Sequence, residues 1–555
     1  MENYQIADML ALLSKLMDIH GENSFKAKSY AFAAFAIEKC GVNLSETEHN
    51  QIASLKGIGT STAQKIIEIL ETGKLKALEE IISKTPPGVI EMLNIKGIGP
   101  KKIHTIWKEM QIESIGELLY ACKENRLKLY KGFGEKTQQS VVDTIEFYLR
   151  NKQSHLYIHL ELIVPQITNI LEDIFGQSVF PAGEFARKLE VINNIDFIII
   201  ADRQKIIGEL SNVQGFTLKA QDDHLLYETS TGLDIRIIPS HPQDLAKTRL
   251  RFNSHPDFFA AVEKHSGFEG SAAGNEEDLF GSLGLNYIPA DLREKAALPY
   301  LQNVLPEVIR EEDIRGIIHS HSTWSDGSHT IEQMARAAIA AGLEYLVITD
   351  HSKSAFYANG LTEERIRMQH EEIDELNVKL APFRIFKGIE SDILNDGSLD
   401  YPDPVLATFE VVIASIHSNF RMSIEKATDR ILTAIRNPYT SIMGHLTGRL
   451  LLSRNGYPVD HDAVIEACAA ENVVLELNAN PNRLDIDWRY IPSAVQKNVM
   501  ISIDPDAHSI GEINYTRYGV MAARKAMLLP SQNLSSMDLP TFSAFLKKQK
   551  ILKGI

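Results

Sequence analysis

Cysteine is scarce in this chain: Cys40, Cys122 and Cys468 stand far apart in 555 residues. Such spacing gives neither a disulfide framework nor a zinc finger, and it suits a reducing compartment. Long apolar runs are missing too; none approaches the roughly 20 residues that cross a bilayer. The opening stretch MENYQIADML has no basic segment ahead of an apolar one. No secretory signal or membrane anchor is therefore expected, and the protein reads as cytoplasmic. Positive charge is also in deficit, with a formal net charge of −16, which argues against indiscriminate nucleic-acid binding. The deficit is uneven, however. Residues 51–110 hold nine lysines against six glutamates, enough for a local basic surface.

What is present is the balance of a globular protein, 44% hydrophobic and 23% charged. The length calls for about three or four domains. Residues 1–150 show apolar positions at three- and four-residue spacing, as in IADMLALLSKLMDI, and read as helical. From about 155 to 240 the texture changes to apolar strands, LYIHLELIV, LEVINNIDFIII, LLYETS and LDIRIIP. A mixed stretch follows, and from 313 short apolar runs alternate with amphipathic helices in a βα pattern.

The helical part repeats itself. LKGIGTSTAQKI (55–66), IKGIGPKKIHTI (95–106) and YKGFGEKTQQSV (130–141) share apolar-Lys-Gly-apolar-Gly and then a polar helix start. The paired glycines, Gly57 and Gly59, Gly97 and Gly99, Gly132 and Gly134, permit a tight turn and a close backbone approach. The helix that follows turns its free N–H groups outward, where a phosphate can accept from them, and Lys101 and Lys102 add charge. This is a helix-hairpin-helix signature, suited to DNA-backbone contacts that read no base sequence.

The last third concentrates metal-ligand residue types at strand ends. IRGIIHSH ends in His319 and His321, with Asp326 in the next loop, and YLVITDH ends in Asp350 and His351. RIFKGIE ends in Glu390, VVIASIH in His417, SIMGH in His445, VVLELN in Asn478, and MISIDPDAH in Asp506 and His508. A lone His after a strand is usually just solvated or hydrogen-bonded. Six of seven consecutive strands ending in His, Asp or Glu point instead to one face where strand C-termini converge. The nine candidate ligands are His319, His321, Asp326, His351, Glu390, His417, His445, Asp506 and His508. At about three protein ligands per catalytic ion they would serve up to three ions. Imidazole and carboxylate without thiolate suit Mn²⁺ first, with Zn²⁺ or Fe²⁺ as alternatives. Hydrolysis of a phosphate ester is the chemistry that follows.

Taken together, HSHSTWSDG, TDHS, GIESDI, SIHS, GHL and DPDAH resemble the successive motifs of the polymerase-and-histidinol-phosphatase (PHP) superfamily. The resemblance covers about 313–555. It implies a distorted seven-stranded (βα) barrel with a trinuclear metal centre, the nine residues falling on the family's ligand positions. With the hairpin repeats and the strand-rich middle, nearly the whole chain resembles the bacterial family X DNA polymerases. The fold implied is multidomain: all-α helix-hairpin-helix domains, an α+β nucleotidyltransferase palm and thumb, and the PHP barrel. Its divisions would be a lyase-like small domain (1–85), fingers (86–150), palm (151–240), thumb (241–305), a linker (306–312) and the PHP domain (313–555). The linker region is neither long nor rich in Gly and Ser, so a docked arrangement is expected. By the same resemblance Lys65 falls at the Schiff-base position of lyase-active members, with Lys26 and Tyr30 near that pocket. A lysine on a DNA-facing helix also neutralises phosphate, so both readings stay open.

The palm departs from its family's pattern of Gly-Ser, an Arg pair and Asp-x-Asp. In GEFARKLEVINNID, Gly183 is kept, Glu184 stands for Ser, Ala186 for the first Arg, and Arg187 keeps the second. Asn194 replaces the first Asp, while Asp196 and Asp234 keep the others. The Tyr-Phe-Thr-Gly-Ser segment survives only as RFNSH (251–255). Asn194 lacks the charge that Mg²⁺ or Mn²⁺ binding requires, and Glu184 sets a carboxylate where triphosphate oxygens need donors. Glu184 or Glu190 could replace the missing ligand, but synthesis is expected to be weak or lost. The reading is a monomeric DNA-repair type 3′→5′ exonuclease acting on gapped, nicked or 3′-ended DNA, with Lys353, Arg449 and Arg483 as candidates to hold phosphate. An active gap-filling polymerase with a proofreading nuclease, and a DNA-end-binding scaffold, are the alternatives.

Overall fold

The computed structural model describes residues 2–555 apart from Gly41, Lys56, Glu124, Asn125, Lys152, Gln177 and Ala272. Lys56 of the first repeat thus lies outside the described residues. The chain forms two compact units, Met1–Lys152 and Gln153–Ile555.

In the first unit one apolar core runs from Ile6 and Leu10 through Ile66 and Ile106 to Ile145. Both expected helical segments contribute to it. The three repeats fold alike: Gly57, Gly97 and Gly132 have φ of 90°, 90° and 92°, which only glycine adopts freely. Each turn closes through one backbone bond, Ile58 N–H to Leu55 O at 3.1 Å, Ile98 to Ile95 at 3.2 Å and Phe133 to Tyr130 at 3.1 Å. Helices Thr60–Thr72, Pro100–His104 and Glu135–Asn151 start directly after Gly59, Gly99 and Gly134. No side chain caps the first two of these helices.

The second unit begins with a correction. LYIHLELIV is not a strand: only His155–Leu156 pairs with Val191–Ile192, and Tyr157–Leu160 and Ile163–Phe175 are helices. Leu160, Val164, Ile167 and Leu171 recur at helical spacing and are buried together, which outweighs the local alternation. A five-stranded sheet follows, built from β1 (Val179–Ala182), β2 (Ile195–Ile200), β3 (Phe216–Gln221), β4 (Leu225–Thr229) and β5 (Asp234–Ser240). Its order is β1-β2-β5-β4-β3, with β2 and β5 parallel and Asp196 opposite Arg236. Short helices from residues 245–282 bring Leu250, Phe258 and Phe280 into the apolar cluster that also holds barrel residues such as Ile389 and Leu475.

The barrel strands are β6 (Gly316–Ile317), β7 (Tyr345–Ile348), β8 (Arg384–Asp392), β9 (Val411–Ser415), β10 (Ile442–Met443), β11 (Val474–Asn478) and β12 (Ile501–Asp504). They lie in sequence order, each parallel to the next. A parallel bridge between Ser320 and Ala507 joins the first strand's end to the last and nearly closes the ring. The sheet-bearing middle is docked on this barrel. Glu190 accepts from Trp488 Nε1 at 3.1 Å and Arg489 Nη1 at 2.9 Å. Glu161 accepts from Arg517 at 2.7 Å, and Asp291 accepts from Arg524 at 2.8 Å. No helix among the described residues is long and apolar enough to cross a membrane.

Candidate metal centre

All nine sequence candidates meet at the C-terminal ends of the barrel strands, and Glu390 stands at their middle. Its carboxylate oxygens lie 2.9 Å from His351 Nδ1, 2.9 Å from His445 Nε2 and 3.1 Å from His417 Nε2. They lie 3.5 Å from His319 Nε2 and 3.7 Å from His321 Nε2. Asp506 Oδ1 is 3.1 Å from His321 Nε2 and 3.6 Å from His319 Nε2. Asp326 Oδ1 is 3.4 Å from His508 Nε2 and 3.6 Å from His351 Nε2. Three overlapping groups could each hold an ion: His321, Asp326, His351 and His508; His319, His321 and Asp506; His351, Glu390 and His417.

Buried polar atoms normally find hydrogen-bond partners. Here His319 Nε2, His321 Nδ1 and His445 Nδ1 are buried and have none, and His351 Nδ1 and Glu390 Oε2, although 2.9 Å apart, are not aligned for a hydrogen bond. That concentration of orphaned donor atoms, with no thiolate among them, fits oxygen- and nitrogen-binding divalent metals. The electrostatics agree. Burial works against the charged form of Glu390, yet His417, His319 and His351 hold its carboxyl well below the usual range. Asp506 is likewise held low, against burial, chiefly by His319. Burial, with His508 and His351 nearby, pushes His321 down to about 3. His417 and His508 move the other way, to about 10 and about 9: burial is outweighed at His417 by Glu390 and Asp392, and at His508 by Asp326 and Asp506.

An outer layer orients these side chains, and sequence reasoning missed its main members. Glu476 Oε1 lies 2.6 Å from His319 Nδ1, and its other oxygen accepts from the His445 backbone N–H at 2.5 Å. Asp392 contacts His417 Nδ1. Asn478 donates to Asp506 at 3.1 Å. Asp350 accepts from Ser322 N–H at 2.7 Å and from Gln369 at 2.6 Å, so it shapes the loop rather than facing the cluster. Of the phosphate-holding candidates, Arg483 Nε stands 3.9 Å from Asp506 Oδ2 at the rim. Arg449 is turned to Asp487 at 2.7 Å and to the carbonyls of Arg483 and Leu484. Lys353 pairs with Glu363 at 3.4 Å and sits 5.1 Å from the Tyr401 ring centroid.

A family described as PHP domain matches residues 318–480, a helix-hairpin-helix domain matches 1–75, and a SAM-like helix-hairpin-helix tandem matches 89–146. The DNA polymerase/3′-5′ exonuclease PolX of Bacillus subtilis (strain 168) is 33% identical over 579 residues, covering 99% of this chain and 100% of that protein. The chain belongs to the bacterial PolX family. A probable phosphatase of Thermoanaerobacter sp. (strain X514) is 27% identical over 243 residues, 42% of this chain and 94% of that protein. A second, from Caldanaerobacter subterraneus, is 31% identical over 171 residues, 29% of this chain and 60% of its own length.

In the five-stranded sheet, where the sequence places the degenerate palm residues, the acids are engaged in ion pairs. Arg236 binds Asp196 with two bonds, at 2.6 and 2.7 Å. Lys219 binds Asp234 at 3.0 and 3.2 Å. Glu184 accepts from the backbone N–H groups of Asn193 and Asn194 at 2.5 and 3.2 Å, and Arg187 is paired with Glu294 at 2.6 Å. Glu190 is committed to the barrel. Gly183 has φ 65°, and a Cβ there would lie 2.2 Å from Asp196 Oδ2. RFNSH supports this loop, Asn253 Oδ1 accepting from Gly183 N–H at 2.9 Å. In the helical unit Lys26 and Tyr30 share a concavity of about 660 Å³ with Gly57 and Gly59. Lys65 does not line it, and pairs with Glu68 at 2.7 Å.

Proposed function

We propose that the protein is a DNA-repair enzyme whose working centre is the PHP barrel, a 3′→5′ exonuclease that uses Mn²⁺ foremost, with synthesis by the palm weak or lost. The observation that carries this reading is the convergence of nine ligand-type side chains with orphaned, buried donor atoms at one barrel mouth. Divalent ions held there supply Lewis acidity toward a phosphoester and lower the pKa of water toward neutrality. The chain's own groups prepare the site for them. Glu476 takes the Nδ1 side of His319 and so leaves its Nε2 lone pair to the cluster, and Asp392 does the same for His417. Arg483 is the cation at the rim that can meet a phosphate oxygen.

DNA as the substrate is supported by three hairpins whose following helices start at exposed glycines, Gly59, Gly99 and Gly134, and by the name of the Bacillus subtilis relative, DNA polymerase/3′-5′ exonuclease PolX. Weak or lost synthesis is supported by Asn194 and by the ion pairs that occupy Asp196 and Asp234. The two candidates to replace the missing carboxylate, Glu184 and Glu190, are spent on backbone N–H groups and on Arg489. The test is a 5′-labelled single-stranded oligonucleotide incubated with the full chain and Mn²⁺. A ladder shortened from the 3′ end is expected, and it should vanish in the His319→Ala plus His321→Ala variant. Undiminished shortening by that variant would sink the proposal.

A further inference from the structure

The loop after His351 carries two aromatic side chains that the cluster does not use. Phe356 and Tyr357 are 88% and 71% exposed, on the short turn Phe356–Ala358. The loop beneath them is tied down on both sides. Ser354 Oγ donates to Asp392 at 2.9 Å and Asp400 at 2.8 Å, and Lys353 N–H donates to Tyr401 Oη at 3.0 Å. Beyond the rings, Asn359 adopts φ 54° and its carbonyl accepts from Arg365 at 2.7 Å. Gly360 passes so close to Ser352 O that a Cβ would sit 1.9 Å from it. The small neighbours Ala355 and Ala358 are buried. The turn thus buries its small residues and holds two large rings in water, the reverse of what packing alone favours.

The rings also stand beside the chemistry. Tyr357 has its ring centroid 6.3 Å from that of His351. Asp392, which anchors Ser354, is the same residue that contacts His417. A phosphodiester in the cluster would bring the base of its own nucleotide within reach of this turn. Aromatic rings stack on any unpaired base without sequence preference, whereas a base inside a duplex already has its faces covered.

We propose that Phe356 and Tyr357 form a stacking platform for the unpaired base of the 3′-terminal nucleotide, so that the nuclease takes single-stranded or frayed 3′ ends. This rests on the phosphodiesterase reading above. The platform makes bases, and not only phosphates, part of substrate recognition at the barrel.

Both rings are exposed, so their replacement leaves the core intact, and the test uses the full chain. With Mn²⁺, Phe356→Ala plus Tyr357→Ala should raise KM for a single-stranded oligonucleotide by about 5- to 100-fold, the range expected for a lost stacked base. The kcat should stay within about twofold, since the rings touch no reacting atom. An oligonucleotide with an abasic 3′-terminal nucleotide should not distinguish the variant from the parent, and Tyr357→Phe should behave as the parent. Binding is read separately, by quenching of 2-aminopurine at the 3′ end in the His319→Ala plus His321→Ala background, and this quenching should need both rings. Equal KM changes on base-bearing and abasic ends, or quenching that survives loss of the rings, overturns the platform. Ring-dependent quenching, found together with a parent chain that hydrolyses no oligonucleotide, supports the platform and overturns the phosphodiesterase reading alone.

Discussion

Replacing Glu390 by glutamine is expected to lower the hydrolysis rate on the order of a thousandfold, the scale on which removing one centrally placed electrostatic group acts. The substitution keeps the shape of the side chain and changes only its charge and donor pattern. Glu390 approaches five imidazoles, and its Oε1 alone lies within 3.5 Å of His319, His417 and His445. An amide there removes the negative charge from the group that Glu390 forms with His351 and His417, and turns one acceptor into a donor. The measurement is the rate on a labelled oligonucleotide together with bound metal per chain. Both should fall. Parent-like rate and metal content would remove Glu390 from the centre of the site.

Chelating the ions is expected to lower the melting temperature of the barrel by about 10 °C, from roughly 4 kcal/mol of binding free energy at a thousandfold excess over Kd. The pH dependence has a definite sign. In the chelated protein His417 and His508 are raised to about 10 and about 9 from 6.5 by the surrounding carboxylates. Their contribution to stability is complete below about pH 6.5 and is lost as pH rises through about 9 and 10. Ions displace those protons and make the loaded protein insensitive to them. The gap between loaded and chelated melting temperatures should therefore widen from pH 6.5 to 9. A gap that stays constant over that window would mean that these histidines lie outside the ion sites.

The barrel site was legible because a parallel barrel forces strand C-termini onto one face, so that His319, Glu390 and Asp506 could be matched by position alone. Its outer layer was less so. Glu476 sits inside VVLELN, and the available signal was a lone carboxylate in a fully buried strand. The pairing of Asp196 with Arg236 depends on the register of β2 against β5, and that of Glu190 with Trp488 on a contact 298 residues away along the chain. Neither register nor docking is written in local spacing. The helix at Ile163–Phe175 was misjudged for the opposite reason: a short alternating run masked a longer helical period that shows only when Leu160 to Leu171 are read together.

Those ion pairs occupy the two acids, Asp196 and Asp234, on which synthesis by the palm would depend. On the function proposed above, the chain has kept its nuclease while its polymerase site has lapsed. One labelled gapped duplex, incubated with Mn²⁺ in the presence and absence of deoxynucleoside triphosphates, reads both activities at once. Shortening of the primer from its frayed 3′ end is expected in both reactions, lost in His319→Ala plus His321→Ala and unchanged in Asp196→Ala. Template-directed lengthening that Asp196→Ala abolishes would contradict the proposed function.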